Sequence, residues 1–483
     1  MRAVVTSLYT HVLNCLSSFF NISSDQLMLK GLTIIIALIA IATYGFISYL
    51  QRSPELPEID YERWWGNGPK VAEDGTVRPF KIEFNDTMIA DLKSRLKNRR
   101  PLTKPLEGIK SEYGMNTIYL EKVLNYWVEK YDFKERANRL NDLPRYKTRI
   151  QGLDIHFIRM KPKVQGMKTL PLLVLHGWPS SSKEFQKVVP LLTTPRTGHD
   201  FVFEVIAADL PGFGFSEGTN KPGLSGLHIG VILRNLMRRL GFNQFYIHAG
   251  DWGSNVATHM ITVFPDEILG YHSTFAISFR PYSFLKLFLG SFVPNFVMDP
   301  KYVNRVYPLT DLIQYFLRET GYLHIQSTKP DTIGVGLTDS PAGLAAYVME
   351  KIGVCTNRDQ TNTDHGGLAA LELEDLLDTV TILWNNNCIV TSSRLYAEGT
   401  TKETRIVDNI PTKVPTAIVN FRYEVLHQPE WMLRDKFNNL VHFTFYDYGG
   451  HFAGLEVPKE LADDIFKGML AILEFNKKKS INL

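Results

Sequence analysis

Two rhythms of apolar and polar residues run along this chain, and one stretch has neither. Residues 31–50, GLTIIIALIAIATYGFISYL, carry no charge and are closed by Lys30 and Arg52. About 20 apolar residues at a rise of roughly 1.5 Å match a hydrocarbon core about 30 Å thick. A core helix would show a polar face, and a secretory signal would have a shorter leader and a shorter apolar run. The segment therefore reads as a transmembrane anchor. Arg52, Arg63 and Lys70 follow it, against Lys30 and the distant Arg2 before it. That excess predicts a single pass with the rest of the chain on the cytoplasmic side. The sequons Asn21-Ile22-Ser23 and Asn85-Asp86-Thr87 are usable only on the lumenal side, so glycan occupancy reports the orientation. Residues 3–20 are also apolar, but Thr6, Ser7, His11 and Asn14 interrupt them, and they read as interfacial or lumenal.

Past a Pro- and acid-containing linker, SPELPEIDYE, the period becomes helical. A helix starting near Thr87 gathers Met88, Ile89, Leu92 and Leu96 on one face. A second aligns Leu120, Val123, Leu124 and Trp127. From residue 148 the pattern turns strand-like. YKTRIQGLDIHFIRMK alternates about a glycine, as in a hairpin, and PLLVLHG, FVFEVIAAD and NQFYIHAGD are short apolar runs of the kind buried parallel strands show. SSKEFQKVVPLL and SNVATHMITVF, between and after them, read as helices. Residues 276–400 are helical, aromatic and Pro-interrupted. VPTAIVNF and LVHFTFYDY then restore strands before a closing helix, KELADDIFKGMLAILEF. The predicted organisation is a leader (1–30), an anchor (31–50) and an N-terminal extension wrapping the core (51–147). A mostly parallel α/β sheet follows in two parts (148–275 and 401–483), interrupted by a helical lid (276–400).

Composition narrows the partners. Lys+Arg 53 against Asp+Glu 50 leaves a net charge of +3, which gives no electrostatic case for nucleic acid. Three cysteines (Cys15, Cys355 and Cys388), none in a CxxC pair, exclude a disulfide framework and a thiolate zinc site, and fit a reducing compartment.

Two glycine-rich segments compete for the chemistry. Gly214-Phe215-Ser216-Glu217-Gly218 satisfies GxSxG, but a nucleophile elbow needs a strand just before it and a helix just after. Ser216 has PGFGF before it and a Gly/Pro-rich run behind it, so it reads as a loop serine. Gly250-Asp251-Trp252-Gly253-Ser254 has the strand and the helix, with small residues at Ala249 and Gly253 giving steric room. Its apex is a carboxylate, which can attack a carbon electrophile and form an ester. The competing reading is Asp251 as an ordinary helix N-cap. His176-Gly177-Trp178-Pro179 follows a buried strand; Gly177 permits a tight turn and leaves the Trp178 N–H free to point into a pocket. With the Trp252 N–H it would form an oxyanion hole. Gly449-Gly450-His451 closes the last strand, and Glu424 follows VPTAIVNF. Nucleophile, acid, histidine is the chain order of α/β-hydrolases.

Over about residues 60–475 the sequence resembles the microsomal epoxide hydrolases, which include the juvenile hormone epoxide hydrolases of arthropods. The resemblance runs through WWG (64–66), GLDIHFI (152–158), HGWP (176–179), PGFGFSE (211–217), GDWGS (250–254), GYLHIQSTKPDT (321–332), DSPAGLAAY (339–347) and GGHFA (449–453). It implies an α/β-hydrolase fold, Asp251 as nucleophile, Glu424 and His451 as its charge-relay partners, and Trp178 and Trp252 as oxyanion donors. Two lid tyrosines, Tyr322 and the more loosely aligned Tyr396, would protonate the epoxide oxygen. The family often has Gly where this chain has Ser180. The resemblance further implies lipophilic epoxides as substrates, diols as products, no metal or organic cofactor, and the microsomal membrane of the endoplasmic reticulum as the site of action. Phe284, Leu287, Phe288, Phe292 and Phe296 suggest a lipophilic substrate, or ordinary core packing. Three other readings remain: a haloalkane dehalogenase using the same Asp ester, a serine esterase on Ser216, and a non-catalytic binding protein for hydrophobic hormones.

Overall fold

The computed structural model describes residues 24–481. The leader up to residue 23, with the sequon at Asn21 and the 3–20 segment, lies outside them. Nine strands form one sheet in the order β1-β2-β3-β5-β4-β6-β7-β8-β9. β1 (Arg78–Phe80), β2 (Arg145–Ile150) and β3 (Leu153–Met160) are antiparallel to their neighbours. β4 (Lys168–Leu175), β5 (Phe201–Ala208), β6 (Phe245–Ala249), β7 (Ile268–Ser273), β8 (Thr416–Asn420) and β9 (Leu440–Phe445) run parallel. The apolar runs without alternation are explained by burial on both faces. In β4, Leu173 and Leu175 join one core layer while Leu172 and Val174 join the other. The helices Gly226–Arg239 and Asp251–Val263 pack together in the first layer, and the closing helix Pro458–Ile481 lies over β7, β8 and β9.

All of the chain between β7 and β8 that is regular is helical, from Pro281 to Asp408. The extension braces this lid. Arg136, buried, spans Asp375 and Asp378; Tyr131 donates its hydroxyl to Asp378 (2.7 Å), and the Trp127 indole donates to Thr381 (3.0 Å). Burial of a charge is tolerable here because each carboxylate is paired and hydrogen-bonded.

Several expectations are corrected. SSKEFQKVVPLL is not one helix but a short 3₁₀ turn, Ser182–Phe185, and a single α turn, Val189–Leu192. Pro190 removes the N–H that would join them. The Gly/Pro-rich run after Ser216 is non-helical as expected, and the next helix starts only at Gly226, where a Cβ would fall 2.3 Å from Asn255 Oδ1, so the glycine is there for close helix packing. The aromatic lid segment is neither core nor site lining: Phe284, Phe288, Phe292 and Phe296 face outward, Phe296 at 95% exposure, and Leu287 is only half-buried. The apolar helix Ser24–Leu50 extends from the body, and its stretch Leu32–Leu50, of mean hydropathy 2.1, is long and apolar enough to cross a membrane.

Candidate active site

β6 ends at Ala249, and the chain turns straight into the helix Asp251–Val263, with Gly250 as its N-cap. Asp251 is therefore not the cap. It occupies the first helical position at φ +46°, a left-handed conformation that costs a non-glycine residue about 1 kcal/mol or more. What holds it there is contact on both sides of the turn. Gly253 lies so near β4 that a Cβ would sit 2.6 Å from the carbonyl oxygens of Leu175 and His176. A Cβ on Gly177 would sit 2.0 Å from Asp251 Oδ1.

The carboxylate is held from two directions. The Trp178 backbone N–H donates to Oδ1 at 2.7 Å, and His451 Nε2 is 3.2 Å from Oδ2. Trp252 is the next residue in the helix, and its N–H belongs to the first turn, which has no intrahelical acceptors. The Trp178–Pro179 bond is cis. His451 follows Gly449, at φ +77°, and Gly450, where a Cβ would meet the carbonyls of Cys355 and Thr356 at 2.6 Å. The His451 N–H donates to the Cys355 carbonyl at 3.0 Å, which ties the catalytic-side loop to the lid helix Pro341–Thr356.

The other ring nitrogen, Nδ1, makes a very short contact with Glu424 Oε1, which also accepts from the Val425 N–H at 2.7 Å. Burial alone would lower the pKa of His451. The Glu424 and Asp251 carboxylates outweigh burial and hold it well above the ordinary histidine value. Opposite them, Tyr322 and Tyr396 come from separate lid helices, Gly321–Thr328 and Ile389–Glu398. Their rings lie 6.0 Å apart; Tyr322 stacks on Trp178 at 5.4 Å, and Tyr396 meets Trp252 edge-on at 4.8 Å. Burial, reinforced by neighbouring groups including Asp251, raises both phenol pKa values well above 10, so both keep their protons at neutral pH. All seven sequence-predicted site residues are thus brought together at one place, the two tyrosines facing the carboxylate and the imidazole.

Ser216 sits in a different setting. Its buried hydroxyl donates to the Asp209 carbonyl (2.8 Å) and accepts from the His156 N–H (2.9 Å). Asp209 itself, at the end of β5, accepts from the amides of Ser182 (2.6 Å) and Phe215 (2.8 Å) and contacts His156 Nδ1 (2.8 Å). This clamp fixes the loop beyond HGWP. Sequence reasoning did not find it, nor two carboxyls near His451, Glu184 buried and Glu456 half-buried. Burial pushes Glu184 up to about 7 and Glu456 up to about 8, the latter still accepting from the Phe452 N–H at 3.0 Å. Among the described residues no cluster of His, Cys, Asp and Glu has the geometry to hold a metal.

Comparison with known proteins bears on the family and the fold. Residues 77–185 match the family described as epoxide hydrolase N terminus, and 171–324 match the alpha/beta hydrolase fold. The chain is 62% identical to a juvenile hormone epoxide hydrolase of Manduca sexta, over 94% of this chain and 99% of the relative. It is 40% identical to epoxide hydrolase 1 of Sus scrofa, over 88% and 96% of the two chains. The crystal structure of juvenile hormone epoxide hydrolase from the silkworm Bombyx mori superposes with a TM-score of 0.84 at 42% identity, over 86% of this chain and 100% of that one.

Proposed function

The chain belongs to the epoxide hydrolases, in the branch that holds the microsomal and juvenile hormone enzymes, and from that premise we propose a covalent route from epoxide to diol. The observation that carries it is the Asp251 carboxylate, set at a turn with φ +46°, with one oxygen on the Trp178 N–H and the other on His451.

Asp251 attacks a ring carbon of the epoxide, and the C–O bond to that carbon breaks. Tyr322 and Tyr396, neutral at pH 7, donate to the leaving oxygen. Ester formation removes the negative charge of Asp251, one of the two carboxylates that keep His451 protonated. The imidazole can then release its proton, which balances the one taken by the new hydroxyl. Neutral His451, oriented by Glu424, next removes a proton from water as the water attacks the ester carbonyl. The tetrahedral oxyanion lies where the Trp178 N–H now meets Oδ1, beside the Trp252 N–H. Its collapse expels the diol and restores the carboxylate.

The test is a single turnover in ¹⁸O-water followed by peptide mass analysis. Label is expected in the Asp251 carboxylate; label confined to the diol would sink the covalent route. Turnover retained in full by the Tyr322→Phe, Tyr396→Phe double variant would favour the dehalogenase reading. The substrates are lipophilic epoxides, juvenile hormone among them, consistent with the Manduca sexta relative. The enzyme acts on the endoplasmic reticulum membrane, held by Leu32–Leu50 as a single pass with the hydrolase on the cytoplasmic side.

A further inference from the structure

Between Pro281 and Met298 the sequence has one charged residue, Lys286, and the fold turns it inward. Its ammonium donates to the Trp431 carbonyl (2.5 Å) and pairs with Asp435 (3.0 Å). The residues facing outward are Phe284, Phe288, Leu289, Phe292, Val293 and Phe296. A surface helix of a soluble domain has the opposite polarity, and a contiguous apolar patch of this kind marks an interaction surface. The segment is not loose. Tyr307 donates its hydroxyl to the Leu287 carbonyl (3.0 Å), the Trp431 indole donates to the Val297 carbonyl (2.5 Å), and the Phe288 and Phe292 rings meet edge-on at 5.4 Å.

Its position identifies the partner. Arg280, buried just before the helix Pro281–Gly290, donates to the Gln51 carbonyl at 2.6 Å. Gln51 is the residue after the apolar helix Ser24–Leu50, whose last turns expose Tyr44, Phe46 and Tyr49. Tyrosines at such a boundary sit at headgroup depth. The patch therefore begins where the anchor leaves the bilayer, and the two apolar surfaces are continuous.

We propose that residues 281–298 form a second membrane-contacting surface, whose aromatic side chains enter the headgroup–acyl boundary of the bilayer that the anchor crosses. It rests on the reading of Leu32–Leu50 as a membrane span. Burial of apolar area at this depth adds to the anchor's hold and, more usefully, fixes the tilt of the hydrolase over the lipid. Binding through two linked sites makes the second contact effectively intramolecular.

The full-length chain, in a Cys15→Ser background, is reconstituted into phosphatidylcholine liposomes with a nitroxide on Phe296→Cys. Parallel samples carry it on Phe292→Cys, on Ile39→Cys within the span, or on Lys81→Cys just past β1 at the opposite edge of the sheet. The remaining described cysteines, Cys355 and Cys388, are buried. At 296 and 292 the label is expected to collide mainly with bilayer-dissolved oxygen, and at 81 mainly with an aqueous nickel chelate. Nickel accessibility at 296 and 292 equal to that at 81, with 39 still in lipid, overturns the proposal. Dipolar coupling between 296 labels on two molecules also overturns it, by making a second copy the occupant. An aqueous label at 39 refutes the span itself, and with it this proposal, while leaving the chemistry of Asp251 untouched. Variants that do not melt as the parent does are replaced by the neighbouring Phe position.

Discussion

Two glycine-rich turns, Gly214–Gly218 and Gly250–Ser254, present a hydroxyl and a carboxylate that a sequence pattern can mistake for equivalents. Their surroundings separate them. The Ser216 hydroxyl spends its only proton on the Asp209 carbonyl and accepts from the His156 amide, with no imidazole to take a proton from it. Asp251 is held by a backbone N–H on one oxygen and by an imidazole on the other, and its side chain keeps 20% exposure toward the pocket. A side chain whose hydrogen-bonding capacity is filled by backbone holds structure together. One that is oriented by such contacts and still partly exposed to the pocket can react. The backbone costs differ in the same sense: at the first turn the positive φ falls on Gly214, where it is free, and at the second on Asp251, where it is not.

The difference can be broken most severely at Asp251, the proposed nucleophile. Asp251→Asn should lower turnover by about 10⁴-fold or more with the fold intact, since no ester can form; steady-state kinetics beside a circular dichroism melt would measure both. Gly177→Ala is expected next. Its Cβ would overlap Asp251 Oδ1, so the carboxylate must shift, and a displacement of about 1 Å costs roughly 10²-fold in rate. A Gly177→Ala enzyme of undiminished kcat would mean that the contact between HGWP and the elbow is loose.

The third prediction concerns pH. Burial lowers the pKa of His451, but Glu424 and Asp251 together raise it by more, to a folded value well above 6.5. A group raised on folding contributes stability that is complete below its unfolded pKa and lost as pH rises through the folded one. Glu424→Gln should therefore bring the loss of stability to lower pH, visible in melts collected from pH 6 upward; coincident profiles for parent and variant would remove Glu424 from the pair. The smallest effect on catalysis belongs to Ser216→Ala. Its kcat/KM should stay near the parent's while stability falls by about 1–3 kcal/mol in urea titration, from the buried groups left without a partner.

How much of this was legible in sequence depends on how local its cause is. The strands β4, β5 and β6 could be read because burial on both faces leaves continuous apolar runs, and the elbow because strand, small residues and helix are adjacent in the chain. The Asp209 clamp could not, since its amide partners come from Ser182 and Phe215 and only the fold brings them together. β7 escaped notice as a six-residue strand, ILGYHS, that carries a glycine and a histidine inside a buried position. Glu184 and Glu456 look like surface carboxyls in sequence, and only packing around His451 raises them to about 7 and about 8. The outward aromatics of 281–298 were misread because apolarity in sequence says that a residue avoids water, without saying whether protein or lipid takes its place.

The hydrogen bond from the His451 amide to the Cys355 carbonyl has a dynamic consequence. The helix Pro341–Thr356 is fastened to the loop carrying His451, so an outward swing of that helix has to break this bond or take His451 with it. In amide hydrogen exchange, His451 and the end of that helix should open together, as one cooperative unit, at a free energy close to that of global unfolding.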